Sequence, residues 1–314
     1  LTPASDGASL SLFTVKAAYF RTTSLLLAIA GGALVPQGHV ASGAVRWIIM
    51  VMLFLVFLQT KFTKNSIHRS HLLILAANIA MGFSAWGLGG LIGGPQVALA
   101  LFFAGITPTA TAAPVIVGFL KGRVDYAIAA FLLTNLCIAA LMPALLPLVL
   151  GKATPDVFIH ICGTVLLVVF VPMALAWLIR LVYPAASSWP KRTGNLSFLL
   201  WVTALFLITS NASHFLRSQA NLPGVILLEI GVLSAVVCAA NFALGHLLGG
   251  REYSREASQV LGQKNTTFTI YLAMTYANPL VALGPTFYVL WHNIWNSWQL
   301  HRINSAELES KKVY

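Results

Sequence analysis

Apolar segments about as long as a bilayer is thick follow one another along this chain, joined by short polar connections, and this leaves it few ways to fold. A helix needs about 20 residues to cross the hydrocarbon of a membrane. Every backbone group there must be paired within the chain, so the segments read as helices. Their approximate limits are 23–35, 45–58, 72–92, 97–120, 127–150, 157–179, 196–208, 225–248, 257–274 and 283–300. Composition agrees: 58% of residues are hydrophobic and 9% charged, against about 25% charged in soluble domains. The expected fold class is an all-α polytopic membrane protein with ten transmembrane helices.

The net charge of +11 raises the question of nucleic acid. The basic residues sit at the ends of apolar segments rather than on one face, which is the positive-inside pattern and argues against a nucleic-acid partner. One side collects Lys16, Arg21, Lys61, Lys64, Arg69, Lys121, Arg123, Arg180, Lys191, Arg192, Arg251, Arg255, Arg302, Lys311 and Lys312. The other side has only Arg46, Lys152 and Arg217. The expected placement is a multi-pass membrane protein with both termini cytoplasmic. Cys137, Cys162 and Cys238 all fall within apolar segments without metal spacing, and read as inert buried thiols.

Two segments are interrupted. The fourth meets Thr107-Pro108-Thr109-Ala110-Thr111-Ala112-Ala113-Pro114, where each proline removes a donor and clashes with the preceding turn. The ninth contains Gly262-Gln263-Lys264-Asn265-Thr266-Thr267, five consecutive polar side chains at mid-depth. Unpaired polar groups are costly in hydrocarbon, so such a run needs protein or water around it. Broken helices at the midplane are where secondary transporters build their sites. The two breaks stand in matching places when the chain is split after the fifth segment. Five spans is an odd number, so the second copy is inserted upside down. The expected division is an N-terminal segment 1–22, a first five-helix repeat 23–150, an inverted second repeat 156–302 and a cytoplasmic tail 303–314.

Pro108-Thr109-Ala110-Thr111-Ala112, the Gly262–Thr267 run and Trp291-His292-Asn293-Ile294, with the order of spans, resemble the bile acid/sodium symporter family. The resemblance covers the chain from the first span to the tenth. It implies a core domain (segments 3–5 and 8–10) and a panel domain (segments 1, 2, 6 and 7). Helices four and nine would cross at unwound middles, with two sodium ions behind the crossing. An organic anion would bind in the cleft between the two domains.

The departures from the family pattern bear on the ion. Where the family's ninth segment reads Glu-Val-Gly-Met-Gln-Asn-Ser, this chain has Val260-Leu261-Gly262-Gln263-Lys264-Asn265-Thr266. The sodium-binding Glu position is Val260 and the Gln position is Lys264. The family's Ser-Asn pair in segment four becomes Ala113-Pro114. The sodium-binding Ser and Thr positions of segment five fall on Ala127 and Phe131. Sodium wants oxygen ligands, and these side chains supply none, so no bound sodium or other metal is expected. Lys264 brings a positive charge of its own, which suits the carbonyl end of a half-helix as the ion would. Burial and carbonyl contacts push a lysine's proton affinity in opposite directions, so a fixed ammonium and one that cycles with protons both fit.

Thr111 and Asn265 match family positions facing the cleft, with Thr109 and Thr266 as further substrate candidates; capping of the freed half-helices fits the same residue types. The carbonyls of the half-helices, with Thr266 or Asn135, are expected to satisfy the Lys264 ammonium. Asn135 otherwise suits helix–helix hydrogen bonding. Glu229 is the one carboxylate well inside a span and could relay protons to Lys264, but about 7 Å of helix rise puts it nearer the outer surface. His292 and Asn293 are expected to pack the core domain.

No hydrolase or phosphate-loop motif is present, and neither enzyme activity nor a cofactor is expected. The leading reading is a sodium-independent secondary transporter of a small organic anion. A conventional sodium symporter and a membrane receptor on the same fold remain alternatives. The expected partners are the anion, membrane lipid and, if Lys264 titrates, protons.

Overall fold

In the computed structural model, residues 23–59, 68–152, 154–218 and 224–312 are described, and these are helices joined by short turns. The expectations for residues 1–22 and for Lys61 and Lys64 lie outside the described residues. The chain forms α1 (Thr23–Leu34), a 3-10 turn at Pro36–Ala41, and α2 (Ala44–Gln59). The continuous stretch Arg69–Ile106 is 38 residues long. At 1.5 Å per residue that is nearly twice a bilayer's hydrocarbon. It divides at Gly94, whose φ of 76° and ψ of −166° are open to glycine and strained for other residues. With Pro95 next to it, this turn separates α3 (69–93) from α4 (95–106).

Then come α5 (Ala112–Phe119), α6 (Val124–Val149), α7 (Pro155–Val165), a π-helical turn (Leu166–Phe170) and α8 (Val171–Val182). Short turns at 184–192 lead to α9 (Gly194–Ser218), α10 (Ile226–Leu248), α11 (Gly250–Gly262), α12 (Thr266–Tyr276) and α13 (Leu283–Lys312). Among the described residues five helical stretches are long and apolar enough to cross a membrane, with α1 and α2 shorter apolar helices.

Three expected limits differ. The seventh segment does not stop at residue 208: α9 continues through Asn211, His214 and Arg217 to Ser218. α11 starts at Gly250, so Arg251, Glu252 and Arg255 belong to the helix rather than to the connection. α13 runs on through the polar tail to Lys312, where good helix formers such as Ala306, Glu307, Leu308 and Glu309 extend it. Pro143 and Pro147 stay inside α6, which passes through both.

Contacts between helix ends define the two ends of the molecule. At one, Arg123 before α6 pairs with Glu252 of α11 at 2.9 Å and bonds Tyr253 Oη at 2.7 Å. Tyr126 stacks on Tyr253 at 4.5 Å, and His71 of α3 lies against Tyr126 at 4.1 Å. At the other, Asn278 after α12 bonds Gln96 of α4 at 2.7 Å, and Tyr276 reaches α7. Between these ends lies the interruption of α4–α5 and α11–α12, which holds the candidate site.

Candidate functional site

Local sequence accounts for both breaks. A residue before proline is pushed out of the helical region, and Thr107, before Pro108, has φ −50° and ψ 132°. α11 ends at Gly262, and Gln263 is extended at φ −89° and ψ 117°. The freed backbones pair with each other. Ala110 N–H donates to Gln263 O at 2.8 Å, and Asn265 N–H donates to Pro108 O at 2.8 Å. Thr109 and Lys264 thus form an antiparallel bridge where the two interrupted helices cross.

The side chains at the crossing face two ways. Lys264 is 2% exposed, and its Nζ donates to Asn78 Oδ1 of α3. Asn78 is held for this by its own amide, which donates to Ile106 O, the last carbonyl of α4, at 2.9 Å. The partner is therefore neither Thr266 nor Asn135. Among the described residues a half-helix carbonyl takes part through Asn78, which bonds Ile106 O. Asn78 was not anticipated, although an asparagine in the middle of an apolar helix was the available signal.

Thr109 also turns inward. It is 2% exposed, and its Oγ1 donates to Val260 O at 2.8 Å, so its side chain bonds the end of α11 instead of facing the cleft. Asn135 of α6 ties the crossing together: Nδ2 donates to Thr109 O at 2.8 Å and Oδ1 accepts from Asn265 Nδ2 at 3.3 Å. Behind the crossing, Ala127 and Val260 lie in a buried apolar cluster with Ile74, Val117, Ala130 and Leu261. Ala113 and Phe131 are also buried.

A cavity of about 280 Å³ opens on the other side of the crossing. Thr111, Asn265, Thr266 and Thr267 line it at the starts of α5 and α12, together with Lys264. His292 and Asn293 of α13 line it too, so they face the cavity rather than only packing the interior as expected. His292 Nδ1 accepts from Lys264 N–H at 3.5 Å, and Asn293 Nδ2 donates to Val289 O at 2.7 Å. The facing wall comes from Leu25 of α1, Met52 and Val56 of α2, and Ser197, Phe198 and Trp201 of α9. Phe198 and Trp201 were not anticipated, because aromatic residues in an apolar segment look alike whether they face lipid or cavity.

Thr266 is 2% exposed, and its Oγ1 has no hydrogen-bond partner among the described residues. Helix N-termini carry unpaired N–H groups and positive partial charge, so the starts of α5 and α12 make this end of the cavity suited to an anion. Glu229 is remote from the crossing. It lies half-buried in the first turn of α10, where its Oε2 comes near Gly93, and the Nζ partner is Asn78. Among the described residues no group of His, Cys, Asp or Glu could hold a metal ion.

A family model described as the Sodium Bile acid symporter family matches residues 44–219, more than half of the chain. The match takes in α2 to α9 and the first limb of the crossing, and the limb with Lys264 lies beyond it. No curated protein matches the chain.

Proposed function

This chain belongs to the sodium bile acid symporter family, and from that premise we propose that it is a secondary transporter of a small organic anion that works without bound sodium. The reading takes the interrupted stretches as two of ten spans, in repeats 23–150 and 156–302 of opposite orientation. The panel is α1, α2, α7–α8 and α9, and the other helices are the core. Both termini are cytoplasmic, and transport is by movement of core against panel. Apolar helices and membership of a transporter family support an integral membrane protein over an enzyme.

One observation carries the sodium-independent reading: the Lys264 side chain is buried, with Nζ against Asn78 of α3. The apolar packing of Ala127 and Val260 supports it, since neither of these side chains offers an oxygen to a hard cation. A lysine side chain that fills the position leaves no room for an ion, whether its charge is fixed or cycles with protons. The anionic group of the cargo is read against the starts of α5 and α12, with Thr111, Asn265 and Thr266 as its contacts.

Sodium should neither stabilise nor drive this protein. Melting temperature measured in sodium chloride and in choline chloride at equal ionic strength should coincide. A saturable, sodium-specific rise would restore the conventional symporter. A thermal-shift screen of organic acids identifies the cargo class. Against the acid that stabilises most, Thr111→Ala and Asn265→Ala should each weaken binding about tenfold to a hundredfold. That is the cost of one hydrogen bond to a charged group, roughly 1.5–3 kcal/mol. Titration calorimetry checks it, and unchanged affinity in both variants would move the site elsewhere. An acid that binds without entering liposomes would point to the receptor alternative.

A further inference from the structure

The two ends of the molecule are packed differently. Toward the Tyr276 end, α2, α6, α7, α9 and α12 meet in one apolar seam that includes Ile49, Leu146, Ile161, Leu207 and Phe268. Toward the other end, the cavity separates α2 and α9 from the crossing. The seam carries a polar clasp. Tyr276, the last residue of α12, has its hydroxyl 2.5 Å from Thr164 Oγ1 and 3.1 Å from His160 O. The His160 ring stands edge-on to the Tyr276 ring at 5.8 Å. Both partners belong to α7.

α7 is mechanically set apart from the helix that follows it. The π-helical turn Leu166–Phe170 comes directly after it, and Pro172 is the second residue of α8. Pro172 has no N–H to offer the carbonyl of Val168, and its ring crowds that turn, which accounts for the widened ladder. π-helical turns interrupt the regular hydrogen-bond ladder and recur at functional sites. A small dihedral change at 166–170 therefore swings α7 while α8 stays packed through Ala176 against Leu58 of α2.

α12 joins the clasp to the site. Its first residue, Thr266, lines the cavity and its last, Tyr276, holds α7. Eleven helical residues span about 16 Å, so a shift at one end is delivered to the other.

We propose that α7 is a gate, latched to α12 by the Tyr276 hydroxyl and pivoting on the π-helical turn 166–170. Release of the latch parts the seam and opens the cavity toward the Tyr276 end. The purpose of the gate rests on the transport reading, but its motion is measurable without any cargo.

The test uses the full-length purified protein with Cys137, Cys162 and Cys238 replaced by alanine. A reporter cysteine is placed at Ile161, which is fully buried in the seam. The rate of its reaction with a polar maleimide reads how often the seam opens. Tyr276→Phe keeps the ring and removes the hydroxyl, and should raise that rate about fivefold, as expected for one hydrogen bond. Adding Pro172→Ala, which restores a donor to the hinge, should bring the rate back toward that of the parent. A second reporter at Val260, buried behind the crossing in a cluster separate from the seam, should react no faster in either variant. An unchanged rate at Ile161 in Tyr276→Phe overturns the latch. A raised rate that Pro172→Ala leaves untouched overturns the hinge. A parallel rise at Val260 means general loosening and overturns the gate altogether. Absence of anion transport would leave these rates as they are, so the two readings fail separately.

Discussion

Lys264→Ala is expected to lower the melting temperature and to abolish net uptake of the organic acid that stabilises the parent. Removing the side chain strands Asn78 Oδ1, and Asn78 cannot turn away, because its amide is committed to Ile106 O. A buried acceptor left without a donor costs roughly 1–3 kcal/mol, and the space left by the lysine stem adds a cavity term. For a chain of this size the loss should read as about 5 °C or more. Lys264→Met separates the terms, since it keeps the volume and loses only the ammonium. The pH dependence distinguishes the two roles of the charge. If the ammonium is permanent, the gap between parent and alanine variant stays constant from pH 5 to 9, and counterflow fails together with net uptake. If it cycles, the folded protein sheds the proton while the unfolded chain still holds it, so the gap widens at the alkaline end, and counterflow survives. Lys264→Gln should confer no sodium dependence, because Ala127 and Val260 still present carbon to an ion. A Lys264→Ala protein equal to the parent in stability and uptake would falsify the surrogate-cation reading.

Gly284→Val should prevent stable folding, and Gly284→Ala should already be costly. Gly284 lies near the start of α13, where it meets the backbone of α4. A methyl group there would come 2.1 Å from Ala100 O and 2.5 Å from its carbonyl carbon. Side chains can swing aside, but a helix backbone yields only by moving the helix, so overpacking here should reach or pass the usual 1–3 kcal/mol. α4 ends at Ile106, the carbonyl that orients Asn78, so displacing α4 also disturbs the seat of Lys264. Gly87→Ala is the control: that glycine is helical, a methyl group there meets nothing within 4 Å, and alanine should be neutral or stabilising. Thermal unfolding in detergent compares the three. Equal melting temperatures would mean that α13 and α4 are not held at this distance.

Much of the site was legible because it breaks rules that are otherwise strict in hydrocarbon. Proline alone does not decide, since α6 passes through Pro143 and Pro147, but Pro108 set among three threonines and a polar run after Gly262 that cannot face lipid made both breaks readable. Thr111 and Asn265, named from the family resemblance, and Thr266 beside them line the cavity. What could not be read depends on which faces meet. Thr109 and Thr111 are two residues apart with the same side chain, yet one bonds Val260 O and the other lines the cavity. The backbone makes the choice: Thr109 is held in the extended pairing with Lys264, a contact between residues far apart in sequence, whereas Thr111 already has helical angles, φ −62° and ψ −22°, at the start of α5. The apolar wall of Phe198 and Trp201 gives no signal distinct from lipid-facing aromatics. Nor does the sequence around Leu166 announce a π-helical turn, although Pro172 hints at one. Asn78 is different in kind, since an amide in α3 is as anomalous as Asn135 in α6, and its position alone could have marked it.

The extended backbone at the crossing also sets a limit on how this chain can change. Successive residues of an extended stretch point to opposite faces, and here Lys264 looks back to Asn78 while Asn265 looks into the cavity. Substitutions at 264 and 265 can therefore be accepted one at a time, each altering one side of the crossing. Losing or gaining a single residue between Gly262 and Thr266 is another matter. It would exchange the two faces in one step, delivering an ammonium to the cavity and an amide to its rear. Variation in chains built this way should then proceed by replacement at fixed length across the crossing, with insertions and deletions confined to the connections at the two ends.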